Sequence, residues 1–394
     1  MVGGGIFQLD IVRTARELGA LVAVADRDPN APGLAIADHP LPIDIVDLPA
    51  MIAAARELGV DGVVTAASDV ALPAVAAIAE ALSLSALSVA AVARCRDKLT
   101  MFETVRAAGL RVPDTVAVVD DEAAERAAIA VGGYPVVVKP RAAAGGRGVS
   151  VVRDRSALGP ALARARPYDR DRQVECLVQR FVGGHALGVE AFFTRSQLTA
   201  AFIMDDQFVD GFVSPVGHSL PSDLDDEARV RVREDVMRFA QALGLEDGPA
   251  NFDLRYDEHG CTLLEVNARL GGNSITDLVR ATHGVDLSAA TVRACLGQDP
   301  APELRSIRTT PTATRLVLVR GRGVAVVNDP FSAIEDRAHV LVVELTVGDG
   351  DPLAMRVDEH VIVGRCIVQG DTPSSAAARA ARVASLIDVG VRGG

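Results

Sequence analysis

Asn251-Phe252-Asp253-Leu254-Arg255-Tyr256-Asp257-Glu258-His259-Gly260-Cys261-Thr262-Leu263-Leu264-Glu265-Val266-Asn267 is the stretch on which the reading of this chain turns. Two alternating runs flank Glu258-His259-Gly260, a three-residue loop with Gly where left-handed φ is favoured. The pattern predicts an antiparallel hairpin with Tyr256 opposite Thr262 and Asp253 opposite Glu265, although a bulge would shift it by one residue. Strand periodicity puts Asp253, Glu265 and Asn267 on one face and Phe252, Leu254, Leu264 and Val266 on the other. Carboxylates facing each other across strands repel, and a cation between them relieves that repulsion. Oxygen donors from Asp, Glu and Asn suit Mg²⁺, above all when phosphates complete its shell. On the hairpin alone, a solvated polar face with incidental carboxylates stands beside this reading.

Upstream, Tyr134 to Lys139 reads as a buried strand, and Ala142-Ala143-Ala144-Gly145-Gly146-Arg147-Gly148 follows it. Without a Cβ, such a loop brings backbone N–H groups close to phosphate oxygens. It is not a Walker A loop, because the lysine precedes the glycines and no Gly-Lys-Ser/Thr follows. Of 40 basic residues only Lys98 and Lys139 are lysines. Elsewhere the chain has settled on arginine, so these two either escaped that drift by chance or mark places where a compact ammonium is needed and a planar fork does not fit.

The chain has 394 residues, room for two or three domains. Hydrophobic residues make up 49%, enough for a large core, and the net charge of −12 argues against nucleic-acid and anionic-membrane partners. The longest charge-free run, Ala81 to Ala93, is too short to span a bilayer. No signal peptide is expected at the N-terminus, and five scattered cysteines without a Cys-x-x-Cys suggest neither disulfides nor zinc. The expectation is a reduced cytoplasm.

The first ninety residues alternate helix and strand in the manner of a doubly wound half-sheet. The helices are Gln8–Leu18, Met51–Leu58 and Ala71–Ala81; the strands are Leu21–Ala25 and Gly62–Thr65. Gly3-Gly4-Gly5 is not a dinucleotide fingerprint, because Gln8 stands where the third glycine belongs. The strand before these glycines is almost absent, either a stub or cut off upstream of Met1. A helix is expected over Arg94–Ala108, and another, capped by Ser222 or Asp223, carries Val232, Val236, Phe239 and Leu243. A helix begins near Ile275, a proline-rich linker runs through Pro300-Ala301-Pro302, and the rest is β-rich with a last helix over Ser374–Leu386.

Lys98 in Arg96-Asp97-Lys98, Lys139 with its glycine-rich loop, Gln179-Arg180-Phe181-Val182, and Asp253…Glu265-Val266-Asn267 occur in the order and spacing of the ATP-grasp superfamily. The chain resembles its carboxylate–amine ligase branch, which includes L-amino acid ligases. The resemblance implies an α/β and α+β multidomain architecture. It would comprise a Rossmann-like pre-ATP-grasp domain (1–93), a small ATP-grasp lobe with a linker helix (94–178), a large lobe (179–300) and a β-rich C-terminal module completing the large domain (301–394).

It also implies roles. Lys98 and Lys139 would contact ATP phosphates, with Gly145, Gly146 and Gly148 in the loop over them. Gln179, Arg180 and Val182 would form the adenine hinge, through backbone groups of Arg180 and Val182, and Glu190 would face the nucleotide. Asp253 and Glu265 would bind two Mg²⁺ ions, for which Mn²⁺ can substitute, with Asn267 on the second. Arg269 would hold the reacting carboxylate and acyl phosphate, and Gly271 and Gly272 would offer backbone N–H groups. Where the family usually carries a ribose-binding Glu this chain has Ala186, so His185 is the candidate for that contact.

After Arg269 the biotin-type carboxylases read Gln-Val-Glu-His two residues on; here it is Gly271-Gly272-Asn273-Ser274, and His218 lies in the upstream Gly217-His218 element of amino-acid ligases. His218 is expected to contact the carboxylate or phosphoryl group. The implied activity joins a carboxylic acid, of the amino-acid class, to an amine through an acyl phosphate, with release of ADP and phosphate. The alternatives are a carboxylase or phosphoribosyl-type ligase of the same fold, and a non-catalytic nucleotide-binding regulator. The expected partners are small-molecule acid and amine, and dimerisation is common in the family.

Overall fold

The computed structural model describes every residue except 144, 169–175, 210–211, 335–336, 354–359 and 394. Four sheets organise the chain. At the N-terminus Ala23–Ala25 pairs in parallel with His39–Leu41. Val2 adds a parallel bridge to Ala25 and donates its N–H to the Val64 carbonyl at 2.9 Å, so the strand before Gly3 is a stub one bridge long. Gly62–Thr65 is extended but forms no ladder of its own. The helices Leu9–Glu17, Leu48–Leu58 and Leu72–Leu82 flank these strands. Gly59 ends the second of them at φ 61°, a left-handed cap suited to glycine.

The helix expected over Arg94–Ala108 is two helices, Val89–Arg96 and Lys98–Ala107. They break at Asp97, whose extended backbone lets its carboxylate accept from the N–H groups of Leu99 and Thr100 and start a new helix. That break puts Lys98 at a helix start rather than mid-helix. A four-stranded antiparallel sheet follows in the order Thr115–Val118, Cys176–Arg180, Val136–Lys139, Ser150–Val152. Cys176–Arg180 pairs wholly inside this sheet, so a lobe boundary at 178/179 would cut a strand.

The large sheet has eight antiparallel strands in the order Gly260–Asn267, Gly248–Asp257, His185–Thr194, Gln197–Gln207, Gly217–Leu220, Thr312–Arg320, His360–Gln369, Val340–Leu345. The β-rich C-terminal segment therefore continues the sheet that carries the hairpin. Helix Asp226–Leu243 packs on one face; its cap is Asp225, not Ser222 or Asp223. Ser222 and the Asp223 N–H bind Asp205 instead. On that face Leu187, Val189, Phe252, Leu254, Leu263, Val266, Val232, Val236 and Phe239 form one core cluster.

The hairpin register differs from its alternation-based reading at one end only. The turn is a two-residue Glu258-His259, which pairs Asp257 with Gly260 and Tyr256 with Cys261 rather than Thr262. A bulge beyond Leu254 then restores Asp253 opposite Glu265 and Asn251 opposite Asn267. It also puts Leu263, not Leu264, in the core. Among the described residues no helix is long and apolar enough to cross a membrane, and none of the five cysteines is in a disulfide.

Candidate active site

The hairpin delivers its polar face to a cleft of about 210 Å³ whose walls include Asp69, Lys98, Arg147, Glu265 and Asn267. Asp253 is half-buried beside Glu265 and Asp206. Burial first, then those two charges, push its carboxyl well above the usual range, against the pull of Arg269 and Lys98. That unrelieved negative charge is what a divalent cation would neutralise, and the oxygen-only donors fit Mg²⁺. Among the described residues no three His, Cys, Asp or Glu side chains converge on a metal position. Asp253, Glu265 and Asn267 would therefore hold a cation together with oxygens from phosphate or water.

The ammonium of Lys98 stands 3.2 Å from Glu265 Oε1 and donates to the Ala143 carbonyl at 2.6 Å, tying the glycine-rich loop to the hairpin. Arg141 grips Asp97 through Nε at 2.8 and 2.9 Å, anchoring the same loop to the helix start. Lys139 is buried with its ammonium 4.8 Å from the Phe102 ring centroid. Burial, and then the neighbouring Lys98, bring its pKa down to about 7, with Glu265 and Asp253 opposing. Gly145, Gly146 and Gly148 all lie at left-handed φ, and a Cβ on Gly146 would collide with the Ser214 side chain. The two lysines and the hairpin carboxylates thus share one pocket of charge.

Arg269 donates from Nη2 to Asp69 Oδ2 at 2.9 Å and from Nη1 to the Leu270 carbonyl at 3.1 Å, while its buried Nε has no partner. Asp69 comes from the N-terminal module, which docks here through the Ala66–Leu270 bridge and the Ala67 N–H to Leu270 bond. Gly271 donates its N–H to both oxygens of Glu190 at 3.1 Å, and Asn251 Nδ2 donates to the same carboxylate at 3.0 Å. A Cβ on Gly271 would fall 2.7 Å from that carboxylate, so only glycine lets the loop close over it. Gly272 stays open toward Ala67.

Glu190, expected to face the nucleotide, is enclosed by protein groups. It is fully buried as the prop under the Gly271 loop, with a pKa pushed up to about 7 by that burial.

His185, the candidate for the ribose contact, lies by strand alternation on the helix-packed face, opposite to the face carrying Asp253, and its Nε2 pairs with Asp205 Oδ1 at 2.8 Å. Gln179 is buried and donates to Thr115 Oγ1 at 2.9 Å, and the Arg180 N–H is taken by the Asp114 carbonyl at 2.8 Å. The Arg180 N–H is thus already bonded within the small sheet, and Val182 lies just beyond the strand's end.

His218 sits on the cleft-side face with Nδ1 2.7 Å from Asp206 Oδ1. Sequence reading missed Asp206 and Asp69. The first had a signal: in Asp205-Asp206 alternation sends one carboxylate to each face of the strand. Asp69, on a loop of a separate module, had none.

Residues 132–277 match the model of the ATP-grasp domain. Carnosine synthase 1 of Mus musculus is 26% identical over 76% of this chain, which spans 39% of that protein's length. A formate-dependent phosphoribosylglycinamide formyltransferase of Stenotrophomonas maltophilia is 25% identical over 100% of this chain and 96% of its own. The crystal structure of an L-amino acid ligase from Bacillus licheniformis superposes with a TM-score of 0.81 at 20% identity, covering 100% of this chain and 98% of that one.

Proposed function

Since the chain carries an ATP-grasp domain, we propose that it is an ATP-dependent, ADP-forming ligase that joins an amino acid, through its activated carboxylate, to an amine. The observation that carries this reading is the ion pair between Asp69, which lines the cleft, and Arg269 behind it, a carboxylate and a cation complementary to the two charged ends of one amino acid. Arg269 binds and orients the reacting carboxylate. Lys98 and Lys139 bear the charge of the transferring phosphate, and the Gly145–Gly148 turn covers it. Asp253, Glu265 and Asn267 would hold two Mg²⁺ ions, whose chemistry is charge neutralisation. Catalysis in this reading is positioning plus electrostatics, with no covalent nucleophile.

Phosphate release measured across amino acids, singly and in pairs, tests it. Release that requires both an amino acid and an amine is expected. A second reading is favoured by the formyltransferase relative that spans the whole chain: a ligase acting on a phosphoribosylated amine. Release that depends on formate or bicarbonate, and not on any amino acid, would select it.

A further inference from the structure

His218 and Asp206 face each other on the adjacent strands Gly217–Leu220 and Gln197–Gln207. Their side chains are 6% and 5% exposed. An ionised carboxylate only accepts, so against Asp206 a neutral imidazole carries its hydrogen on Nδ1 and keeps a lone pair on Nε2. That Nε2 is buried and has no partner, and a buried polar atom in that state calls for an explanation. Beside it, Thr314 is opposite His218 on the next strand, and its buried hydroxyl is also without a partner.

The place of Asp206 is built into the sheet. Asp253 pairs with Gly188, and a Cβ on Gly188 would lie 3.0 Å from Asp206 Oδ1. Glycine at that position gives the Asp206 carboxylate its room on the face that carries Asp253. His218, Asp206, Gly188, Asp253 and Glu265 therefore share one sheet face across five neighbouring strands, with Asp206 bonded to the histidine on one side and close enough to Asp253 on the other to act on its charge.

We propose that Asp206 is a positioning residue that fixes His218 in the Nδ1–H form, so that Nε2 accepts a proton from the amine in the amide-forming step. This rests on the ligase reading above. The amine nitrogen forms a bond to the carbonyl carbon of the acyl phosphate, and one N–H proton passes to Nε2. The carbon–oxygen bond to the phosphoryl group then breaks, its electron pair leaves with the phosphate, and the proton from Nε2 completes hydrogen phosphate. Asp206 stabilises the transient imidazolium. His218 is the catalytic base in this step; Asp206 acts through it.

The test uses the full-length protein with the amino acid and amine identified by the release screen, and hydroxylamine as an alternative acceptor that captures acyl phosphates without help from a base. Asp206→Asn should lower amide formation by about 100-fold and hydroxamate formation by no more than about threefold. Nitrogen-15 NMR of the His218 imidazole should show hydrogen on Nδ1 in the wild type and a shift toward Nε2–H in the variant. Gly188→Ala, which crowds Asp206 without removing its charge, should lower the amide-to-hydroxamate ratio in the same direction.

If both products fall together in the two variants, the pair serves the fold or acid activation, and the base role is overturned. If the imidazole tautomer is unchanged in Asp206→Asn, the positioning role is overturned. If the wild type makes neither product from any acid and amine, the ligase reading fails and the base role with it; the tautomer measurement still decides separately whether Asp206 holds the ring.

Discussion

The hairpin end of the site and the end expected to serve as the adenine hinge are held by different kinds of contact. At the hairpin end, Asp253, Glu265, Lys98, Lys139 and Arg269 crowd formal charges into a small buried space. The strain is visible in two opposite displacements: Asp253 is driven up and Lys139 down, both chiefly by burial. At the hinge end the charged groups are spent on the fold itself. Arg180 pairs with Asp114 and His185 with Asp205, and the Arg180 N–H completes a backbone bond. One end is organised around charge the protein does not neutralise alone; the other is complete without a ligand. Substitutions at the hairpin end should therefore remove activity with little loss of stability, and those at the hinge end the reverse.

The largest effect should come from Glu265→Gln. Turnover should fall by several orders of magnitude, because the carboxylate helps to hold the cation that offsets the transferring charge. Stability should change little, since loss of the Lys98 ion pair is offset by relief of the repulsion with Asp253. Asp253→Asn sharpens the point. A carboxyl whose folded pKa is raised contributes stability below the ordinary carboxylate range and loses it as pH climbs through the folded value. Urea titrations of the metal-free protein at pH 5 and pH 8 should show that loss in the wild type and a flatter dependence in the variant. A steep loss of stability in Glu265→Gln would break the contrast between the ends.

Next comes Arg269→Lys, which keeps the charge but not the fork that grips Asp69 and Leu270. ADP formation should drop by roughly 100-fold, equivalent to about 3 kcal/mol of transition-state stabilisation. Loss of ATP binding with turnover intact at saturating ATP would move Arg269 from the acid to the nucleotide.

Lys98→Arg and Lys139→Arg should each weaken ATP use by about tenfold or more, with unchanged thermal melts, because a planar guanidinium is too wide for the space between glycine amides and hairpin. Lys139 offers a finer readout. With its folded pKa near 7, below the 10.5 of a free lysine, the unfolded chain holds more protons between those values, so ligand-free stability should rise as pH increases through that window. Phosphates favour the ammonium, so ATP binding at pH 8 should take up a proton. Calorimetry in buffers of different ionisation enthalpy should detect that uptake in the wild type and not in Lys139→Arg. Equal proton counts in both would show that Lys139 is already charged before ATP arrives.

The hairpin end was legible in the sequence because its chemistry needs particular residue types at particular spacings. Asp253, Glu265 and Asn267 share a strand face by alternation, and two lysines stand out among thirty-eight arginines. Even the misplaced turn left Asp253 opposite Glu265, because the shorter loop and the bulge at Leu264 cancel. The hinge end was harder to read. The base contacts that the resemblance implies there would come from backbone groups, which no side-chain pattern records, and a strand's face inverts with a single residue. That is why His185, next to Ala186, looked like its substitute and lies on the far side of the sheet. Glu190 has the right face but is covered by Gly271, a contact between segments 81 residues apart. Helix boundaries failed where a local hydrogen bond decided them, as at Asp97 and Asp225.

The smallest effect, and the one that tests the hinge end directly, is His185→Ala. The ring is 40% exposed and makes one bond to Asp205, which also accepts from Ser222 and the Asp223 N–H. Removing the ring leaves Asp205 with those two donors, so the loss of stability should be no more than about 1 kcal/mol. Because the side chain leaves the sheet on the face packed against helix Asp226–Leu243, ATP affinity should stay within about twofold of the wild type, since the His185–Asp205 bond is exposed and remote from phosphate. Titration with a non-hydrolysable ATP analogue measures that affinity, and 2′-deoxy-ATP adds a second axis. If His185 served the ribose, the variant would bind ATP and 2′-deoxy-ATP equally while the wild type preferred ATP. Equal discrimination in both proteins is expected. A variant that alone loses the preference would place the ring at the nucleotide and erase the difference between the two ends of the site.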